Sequence, residues 1–263
     1  MTQTPGQTRS TTTVVLIALA AVVSAALLGA LGVWQVQRLF WKLDLIERVE
    51  QRLGAEAVTA PGPESWSSLT ASANEYLKVR LTGRFLHDKE TRVQAVTDLG
   101  AGHWVLTPLK SAQGGFTVLV NRGFVSPNRR DPETRAEGQI SGETTVTGLL
   151  RLTEPAGAFL RNNDPTADLW YSRDVAAIAS ARGLGSATAP FFVDADAATN
   201  PGGWPVGGLT KVAFSNNHLV YAVTWFTLAL MALAGGGYVV HDWRRQKRRA
   251  HSPGQIDLLT SAL

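Results

Sequence analysis

The chain of 263 residues contains no cysteine and only two methionines. Without thiols the protein can form no disulfide bond, offer no thiolate to a metal and use no cysteine nucleophile. A copper site built on soft sulfur ligands is disfavoured for the same reason. These absences remove several kinds of chemistry before any motif is considered.

Two long stretches of the chain lack charge. No Asp, Glu, Lys or Arg occurs between Arg9 and Arg38, nor from Leu219 to Val240. About 20 apolar residues in a helix span the hydrocarbon core of a bilayer, so each stretch predicts a membrane span. The first is longer than the apolar part of a signal peptide and continues into a charged helical pattern instead of a cleavage site.

We therefore predict transmembrane helices at 13–34 and 218–240, the first being an uncleaved anchor. The first helix is expected to continue beyond the membrane to about Leu53, where Gly54 supplies a stop. Small residues recur at helical spacing in both spans, which favours close packing of the two as a helical hairpin. They are Ala21, Ala25, Gly29 and Gly32 in the first span, and Gly235, Gly236 and Gly237 in the second.

The distribution of charge predicts the topology. The segment 35–217 has 19 basic and 19 acidic residues, whereas five basic residues cluster at 244–249. Basic residues beside a span stay in the cytoplasm, which places the tails 1–12 and 241–263 there and the segment 35–217 in the periplasm. The start of the chain is not the Arg-rich amphipathic helix of a mitochondrial transit peptide, so a bacterial cytoplasmic (inner) membrane is favoured. The high pI therefore reflects topology, and no nucleic-acid partner is expected.

The central segment alternates apolar and polar residues in short runs separated by turn residues, which is typical of β-strands. We predict a mainly antiparallel β (α+β) domain, either a sheet or a partly closed barrel, after a linker at Pro61–Ser68. One helix is predicted from Ser172 to about Ala181, ended by Gly183. The predicted strands are Tyr76–Gly83, His103–Leu109, Phe116–Val125, Thr144–Leu152, Pro190–Val193 and Leu209–Phe214.

One histidine lies at the start of the second span. His218, Tyr221 and Trp225 share a helix face because residues three and four apart are neighbours. Imidazole is a metal ligand and an axial ligand of haem iron, so this face is a candidate haem or metal site with aromatic walls. The alternative is an interfacial belt, since Tyr and Trp gather at the headgroup level of membrane proteins.

The end of the first span has a similar face, formed by Trp34, Arg38 and Trp41. A guanidinium held between two indoles could pair with a carboxylate such as a haem propionate. The alternative is an aromatic belt with an arginine that reaches toward lipid headgroups. Both faces are expected at the same, outer membrane boundary.

The central domain offers no readable catalytic set. His87 and His103 stand alone, without the spacing of a metal site. No Gly-x-Ser-x-Gly motif occurs, and no Ser, His and Asp set can be selected. We therefore expect a protein that is not an enzyme.

Several short motifs, in order, resemble the Surfeit locus protein 1 family of two-span cytochrome c oxidase assembly factors. The resemblance runs from about residue 30 to 230, with small departures at Phe124, where the family often has Trp, and at Pro127. The motifs are Gly32-Val33-Trp34-Gln35, Arg38-Leu39, Asn121-Arg122-Gly123-Phe124-Val125, Pro132-Glu133-Thr134-Arg135, Gly138-Gln139, Arg151-Leu152-Thr153-Glu154, Asn162-Asn163, Trp170-Tyr171-Ser172-Arg173-Asp174, Pro201-Gly202-Gly203 and Asn217-His218-Leu219-x-Tyr221-Ala222-x-Thr224-Trp225.

The resemblance implies a haem a chaperone that assists insertion of haem a into subunit I of a haem-copper oxidase. His218 falls on the histidine that binds haem in bacterial relatives. Haem a synthase and membrane lipid are further expected partners. The alternative, from a different functional class, is a scaffold that stabilises a half-built oxidase without binding haem.

Overall fold

A computed structural model of the chain describes residues 9–155, 157, 161–210, 212 and 214–250. They form two compact units. One unit combines the first part of the chain, up to Ile46, with the last part, from Phe214 onward. The other unit is Glu47–Ala213. The predicted tails 1–12 and 241–263 lie partly outside the described residues, as do Lys211 and Ala213 of the last predicted strand.

The described helices and strands follow one another along the chain with a helix at each end. The helices are α1 (Thr11–Gly54), α2 (Ala71–Asn74), α3 (Val175–Ala181) and α4 (His218–Ala250). The strands are β1 (Val58–Thr59), β2 (Lys78–Phe85), β3 (Thr91–Thr97), β4 (Gly100–Ser111), β5 (Thr117–Val125), β6 (Glu143–Leu152) and β7 (Thr188–Ala195).

Helices α1 and α4 are each long and apolar enough to cross a membrane. Helix α1 continues to Gly54, as the stop signal predicted. The chain is therefore a two-span membrane protein with a β domain between its spans. The membrane limits at 34 and 218 and the sidedness remain predictions.

The two long helices pack antiparallel through small residues. In lipid no hydrophobic effect drives two helices together, so their association depends on close packing, which small residues permit. A Cβ atom at Gly236 would lie 2.6 Å from the Cβ of Ala21, and one at Gly32 would lie 2.6 Å from the Phe226 ring. Gly235 and Gly237 have nothing within 4 Å of the same position, so they take no part in this contact. The predicted hairpin packing thus depends on some of the small residues and not on others.

The domain is a closed barrel. Its sheet has the order β1-β2-β6-β7-β5-β4-β3, and β2 also pairs with β4 between Gly83–Phe85 and Leu109–Ser111. The extra pairing closes β2, β6, β7, β5 and β4 into a ring. The β1–β2 and β5–β7 pairs are parallel and the others are antiparallel, so the domain is mainly antiparallel, as predicted.

Two hydrophobic clusters cover the two faces of the central strands. Alternate side chains of a strand point to opposite faces, so Val118 and Val120 enter one cluster and Leu119 the other. One cluster contains Val79, Leu81, Phe85, Leu109, Val118, Val120, Leu150, Phe191 and Val193. The other contains Val93, Leu106, Leu119, Trp170, Val175, Ile178 and Phe192.

The structure corrects three details of the sequence prediction. Strand β3 was not predicted, because its sequence does not alternate cleanly between apolar and polar residues. The apolar residue Val96 interrupts the pattern, and its side chain is 85% exposed. The proposed linker Pro61–Ser68 contains a 3₁₀ helix whose Trp66 packs edge-on against Phe116, so it belongs to the core. The predicted strand at Leu209–Phe214 is wrong for its described residues, because Thr210 leaves the sheet to hydrogen-bond Asp194 with its side chain.

A buried carboxylate ties the strands together. The Asp194 side chain on β7 is 1% exposed and pairs with Arg151 of β6 at 3.0 Å and with Arg173 at 3.1 Å. Asn121 of β5 donates to the same carboxylate at 2.7 Å, and Thr210 donates at 2.9 Å. Four donors from four parts of the chain therefore converge on one side chain.

Each arginine of this cluster has a second carboxylate partner. Arg151 pairs with Glu75 at 2.7 Å, and Arg173 pairs with Glu154 at 2.5 Å. Burial opposes ionisation of Glu154, but its hydrogen bond to Arg173 and the charges of Arg173 and Arg151 outweigh burial and lower its pKa. Glu154 is therefore ionised at neutral pH.

Gly83→Ala should destabilise the domain, because Gly83 lies where β2 meets both β4 and β6. The new Cβ would lie 2.2 Å from the carbonyl oxygen of Lys110, which forces the barrel seam apart. We expect a loss of about 1–3 kcal/mol in the free energy of unfolding, measured by denaturant unfolding of the full chain in detergent with tryptophan fluorescence. Gly54→Ala is the control, since nothing lies within 4 Å of its Cβ position. An equal effect of both changes would contradict the role of Gly83 in closing the barrel.

Asp194→Asn should be far more destabilising than a carboxylate change at the surface. It leaves two mostly buried guanidinium groups short of one negative charge, and breaking a buried ion pair costs about 3–5 kcal/mol. Asp131→Asn is the control, because Asp131 is 67% exposed and its pair with Arg92 contributes at most about 1 kcal/mol. Similar unfolding midpoints for the two variants in the same fluorescence measurement would rule out a central role for Asp194.

Candidate functional site

The histidine at the start of α4 makes a hydrogen bond to α1 within the helix pair. The Nδ1 atom of His218 lies 2.7 Å from the Oε1 atom of Gln35. Gln35 is 9% exposed and lies three residues after Gly32, on the face of α1 that approaches α4. The backbone N–H of His218 donates to the side chain of Asn216 at 3.4 Å, at the start of the helix.

This contact is consistent with one of the two neutral tautomers of the imidazole ring. A carboxamide oxygen only accepts hydrogen bonds, so Nδ1 carries the proton and donates it to Gln35. The Nε2 atom then keeps its lone pair, which is the form of imidazole that binds a metal. In the part of the chain that the structure describes, Nε2 of His218 has no hydrogen-bond partner. A histidine whose other nitrogen donates to an oxygen is the usual arrangement of a metal-ligating histidine.

The aromatic residues predicted beside His218 divide between two environments. Trp225 is half-buried and follows His218 on the inner face of α4, together with the buried Ala222. Tyr221 is 52% exposed, so it lies at the edge of this face. Trp225 is thus the aromatic residue that accompanies His218 on the inner face, and Tyr221 is open to the surroundings.

The face formed by Trp34, Arg38 and Trp41 lies beside the contact with His218. At about 100° per residue these side chains are centred roughly a quarter of a turn away from Gln35. Trp34 is 49% and Trp41 50% exposed, and the Arg38 guanidinium lies 4.7 Å from the Trp41 ring centre. Among the described contacts, Arg38 is held by Trp41 and not by His218.

Sequence reasoning missed Gln35, although a signal was present. An amide three residues after Gly32 falls on the small-residue face of α1, which was already predicted to pack against the other span. A polar side chain on a packing face inside lipid needs a partner, and His218 was the polar residue on the other span at a matching depth. The tryptophans Trp34 and Trp41 lie on the neighbouring face of α1.

The donor set at the start of α4 is a single imidazole. Structural and catalytic ions are held by three or four protein ligands. Among the described residues no group of three or more His, Asp or Glu side chains could hold an ion. Haem iron brings four nitrogen ligands of its own and needs one axial histidine from the protein. One free imidazole nitrogen on an oriented ring fits that requirement.

The histidines of the β domain are in a different state. His87 donates from Nε2 to the carbonyl oxygen of Ile140 at 3.0 Å, and burial lowers its pKa. Burial also lowers the pKa of His103, helped by the charges of Arg130 and Arg92. Both rings are neutral at pH 7 and part of the packed domain.

The motifs around Arg122 and Arg135 fix local structure. The buried Arg122 donates to the carbonyl oxygen of Gly138 and, at 2.9 Å, to Asn200, and burial lowers its pKa to about 10. Arg135 pairs with Glu90 at 2.5 Å, both side chains being buried. These two arginines therefore join separate loops to the barrel.

Comparison with known proteins identifies the family of this chain. Residues 22–230 match the model of the SURF1 family. Surfeit locus protein 1 of Rattus norvegicus is 41% identical over 215 residues, which cover 75% of this chain and 67% of the rat protein. Surfeit locus protein 1 of Homo sapiens is 39% identical over 216 residues, covering 76% of this chain and 69% of the human protein. The chain belongs to the SURF1 family.

Proposed function

We propose that this protein is an assembly factor for a haem-copper terminal oxidase of the cytochrome c type, and that it holds haem a through His218 at the outer membrane boundary. The observation that carries the proposal is the 2.7 Å contact between Nδ1 of His218 and Oε1 of Gln35. It orients the ring and leaves Nε2 as the ligand atom.

The position of the site suits the chemistry of the cargo. Haem a carries a long isoprenoid tail, so it partitions into lipid and aggregates in water. A ligand at the end of a membrane span keeps the iron near the headgroups while the tail remains in the bilayer. The half-buried Trp225 offers a flat ring on the same face as His218.

A carrier must also release what it binds, and the site is consistent with release. His218 supplies one ligand. Tyr221, Trp34 and Arg38 are exposed and do not enclose the imidazole ring of His218. These three side chains can therefore move to meet a macrocycle, Arg38 by pairing with a propionate. An open, single-ligand site suits transient binding.

The proposed role is not enzymatic. The receiving partner is subunit I of the oxidase, and haem a synthase is the proposed source of the cargo. We place the protein in a bacterial inner membrane, and the charge distribution supports a topology with both termini in the cytoplasm and the barrel in the periplasm. His218 then lies at the periplasmic end of its span.

The second candidate function is a scaffold that stabilises an oxidase intermediate without haem. One observation favours it: the hairpin that joins β3 to β4 has two exposed apolar side chains, with Val96 85% and Leu99 52% exposed. An exposed apolar patch is typical of a protein contact. A pure scaffold, however, would use the His218–Gln35 pair for helix packing alone and has no need of a free Nε2 atom.

His218→Ala should abolish haem a binding. The full chain would be co-expressed with haem a synthesis, purified in detergent, and assayed by its absorption spectrum and its haem-to-protein ratio. We expect the wild type to carry haem a and the variant to lose most of it, because no axial ligand remains. His241→Ala, a change of the same kind on the same helix, is the control and should keep its haem. Equal haem content in the wild type and the His218 variant would remove the ligand role and favour the scaffold.

Gln35→Leu should weaken haem binding while His218 stays in place. The partner that orients a ligating histidine typically contributes a factor of 10–100 in affinity. Gln35→Glu keeps an oxygen acceptor for Nδ1 and should retain binding closer to the wild type. Titration of haem into the detergent-purified apoprotein measures both variants. If Leu and Glu at this position give the same affinity, Gln35 does not act through the ring.

A further inference from the structure

The end of the helix pair opposite His218 contains a groove with an unusual combination of linings. Its volume is about 440 Å³, and both spans contribute to it. Its walls are mostly small or apolar, and the only ionisable side chains among them are His241 and Arg244 of α4. The lining residues are Ala18, Ala21, Val22, Leu233, Gly236, Gly237, Val240, His241 and Arg244.

A second, basic cavity begins where the groove ends. It has a volume of about 380 Å³ and is lined by Trp243, Arg244, Lys247 and Arg248. Arg244 belongs to both cavities, so the apolar groove and the basic cavity meet at its side chain. The ammonium of Lys247 lies 5.0 Å from the Trp243 ring centre.

The three cations lie on one face of α4 because residues three and four apart are neighbours on a helix. The acidic residue of this segment, Asp242, is hydrogen-bonded to Gln246 at 2.7 Å and is not among the residues lining either cavity. The cavity therefore has a net positive charge where the uncharged span ends.

We propose that this end of the helix pair binds one anionic phospholipid. One acyl chain lies in the apolar groove, and the phosphate is held by Arg244, Lys247 and Arg248 at its mouth. A single ligand that is apolar along its length and negatively charged at one end matches the two cavities together. Clusters of Lys and Arg immediately beyond a span on the cytoplasmic side attract anionic headgroups, and the charge distribution predicts that side for this end.

Glycine at position 237 keeps the groove open. Gly236 beside it is in close contact with Ala21, whereas a Cβ at Gly237 would have no atom within 4 Å. A larger side chain at 237 can therefore fill the groove without pushing α1 and α4 apart. A side chain at Gly235 also meets open space, but Gly235 does not line the groove.

Two matched pairs of variants test the proposal. Gly237→Leu fills the groove, and Gly235→Leu makes the same change outside it. Arg244→Gln removes the cation shared by the two cavities, and Arg245→Gln removes the same charge from its neighbour, which lines neither cavity. The full chain would be purified in a neutral detergent, mixed with phosphatidylglycerol and phosphatidylcholine of identical acyl chains, and examined by native mass spectrometry.

The wild type should retain one phosphatidylglycerol in preference to phosphatidylcholine by at least about fivefold, the factor that one cation near an anionic surface contributes. Arg244→Gln should lower this retention by about fivefold, and Gly237→Leu by at least as much. Gly235→Leu and Arg245→Gln should match the wild type. Circular dichroism of each variant would establish that the helices are retained.

Three results would overturn the proposal. Equal retention of the two lipids by the wild type would show that the headgroup charge is not recognised. An equal loss in Arg244→Gln and Arg245→Gln would reduce the effect to diffuse attraction by a basic tail. Unchanged binding in Gly237→Leu would show that no acyl chain enters the groove, which would then be left for another occupant such as a span of a partner protein.

Discussion

The β domain depends on one buried carboxylate. Asp194 joins β7 to arginines from β6 and from the segment before α3, and it also receives a hydrogen bond from β5. Burying two guanidinium groups is unfavourable unless each is neutralised and hydrogen-bonded. Asp194, Glu75 and Glu154 together meet that demand in the observed register of these strands. These ion pairs favour a specific arrangement of the strands rather than added stability, because apolar side chains of the same size would fill the same space equally well.

Polar contacts have a different role in the helix pair. There the backbone is satisfied within each helix, and apolar side chains face lipid without penalty. The positions that decide the pairing are the close approaches at Gly32 and Gly236 and the hydrogen bond between Gln35 and His218. The same hydrogen bond that joins the helices also selects the ring tautomer. Helix packing and the orientation of the imidazole ring are therefore coupled at His218, whereas in the barrel the Asp194 carboxylate is held by ion pairs and hydrogen bonds within the domain.

The sequence was sufficient for the elements whose signals are local. Long uncharged runs, the Gly54 stop and the alternation in β2, β5 and β6 each depend on neighbouring residues, and they were predicted correctly. Barrel closure could not be predicted in this way, because it depends on β2 pairing with β4, where Gly83 lies opposite Ser111, a residue distant in the sequence. Strand β3 was missed because one of its largest apolar side chains, Val96, faces outward. The strand predicted after Gly208 failed because a tertiary contact, Thr210 to Asp194, outweighed its local β pattern.

The candidate site was predictable in part for the same reason. His218 was conspicuous as a histidine beside an uncharged span, and its face on α4 followed from helical periodicity. Its partner, Gln35, could be predicted only with knowledge of which face of α1 meets α4. From the sequence, both Trp34 and Gln35 are plausible partners of His218 on α1, and their side chains are about 100° apart around the helix. The small residue Gly32, and not the aromatic residues, marked the correct face.

The two ends of the helix pair present opposite chemistry to ligands that reach them through lipid. His218 offers an electron pair, whereas Arg244 and its neighbours offer positive charge. Burial of an apolar tail contributes little to binding in a bilayer, because the tail is already out of water. Affinity at either end must therefore come from a few polar contacts and from shape, as it does for helix association in lipid. Such sites bind moderately and release readily, as the proposed transfer of haem a requires. At the basic end the same moderate affinity would let a lipid exchange with the surrounding bilayer without dissociating the helices.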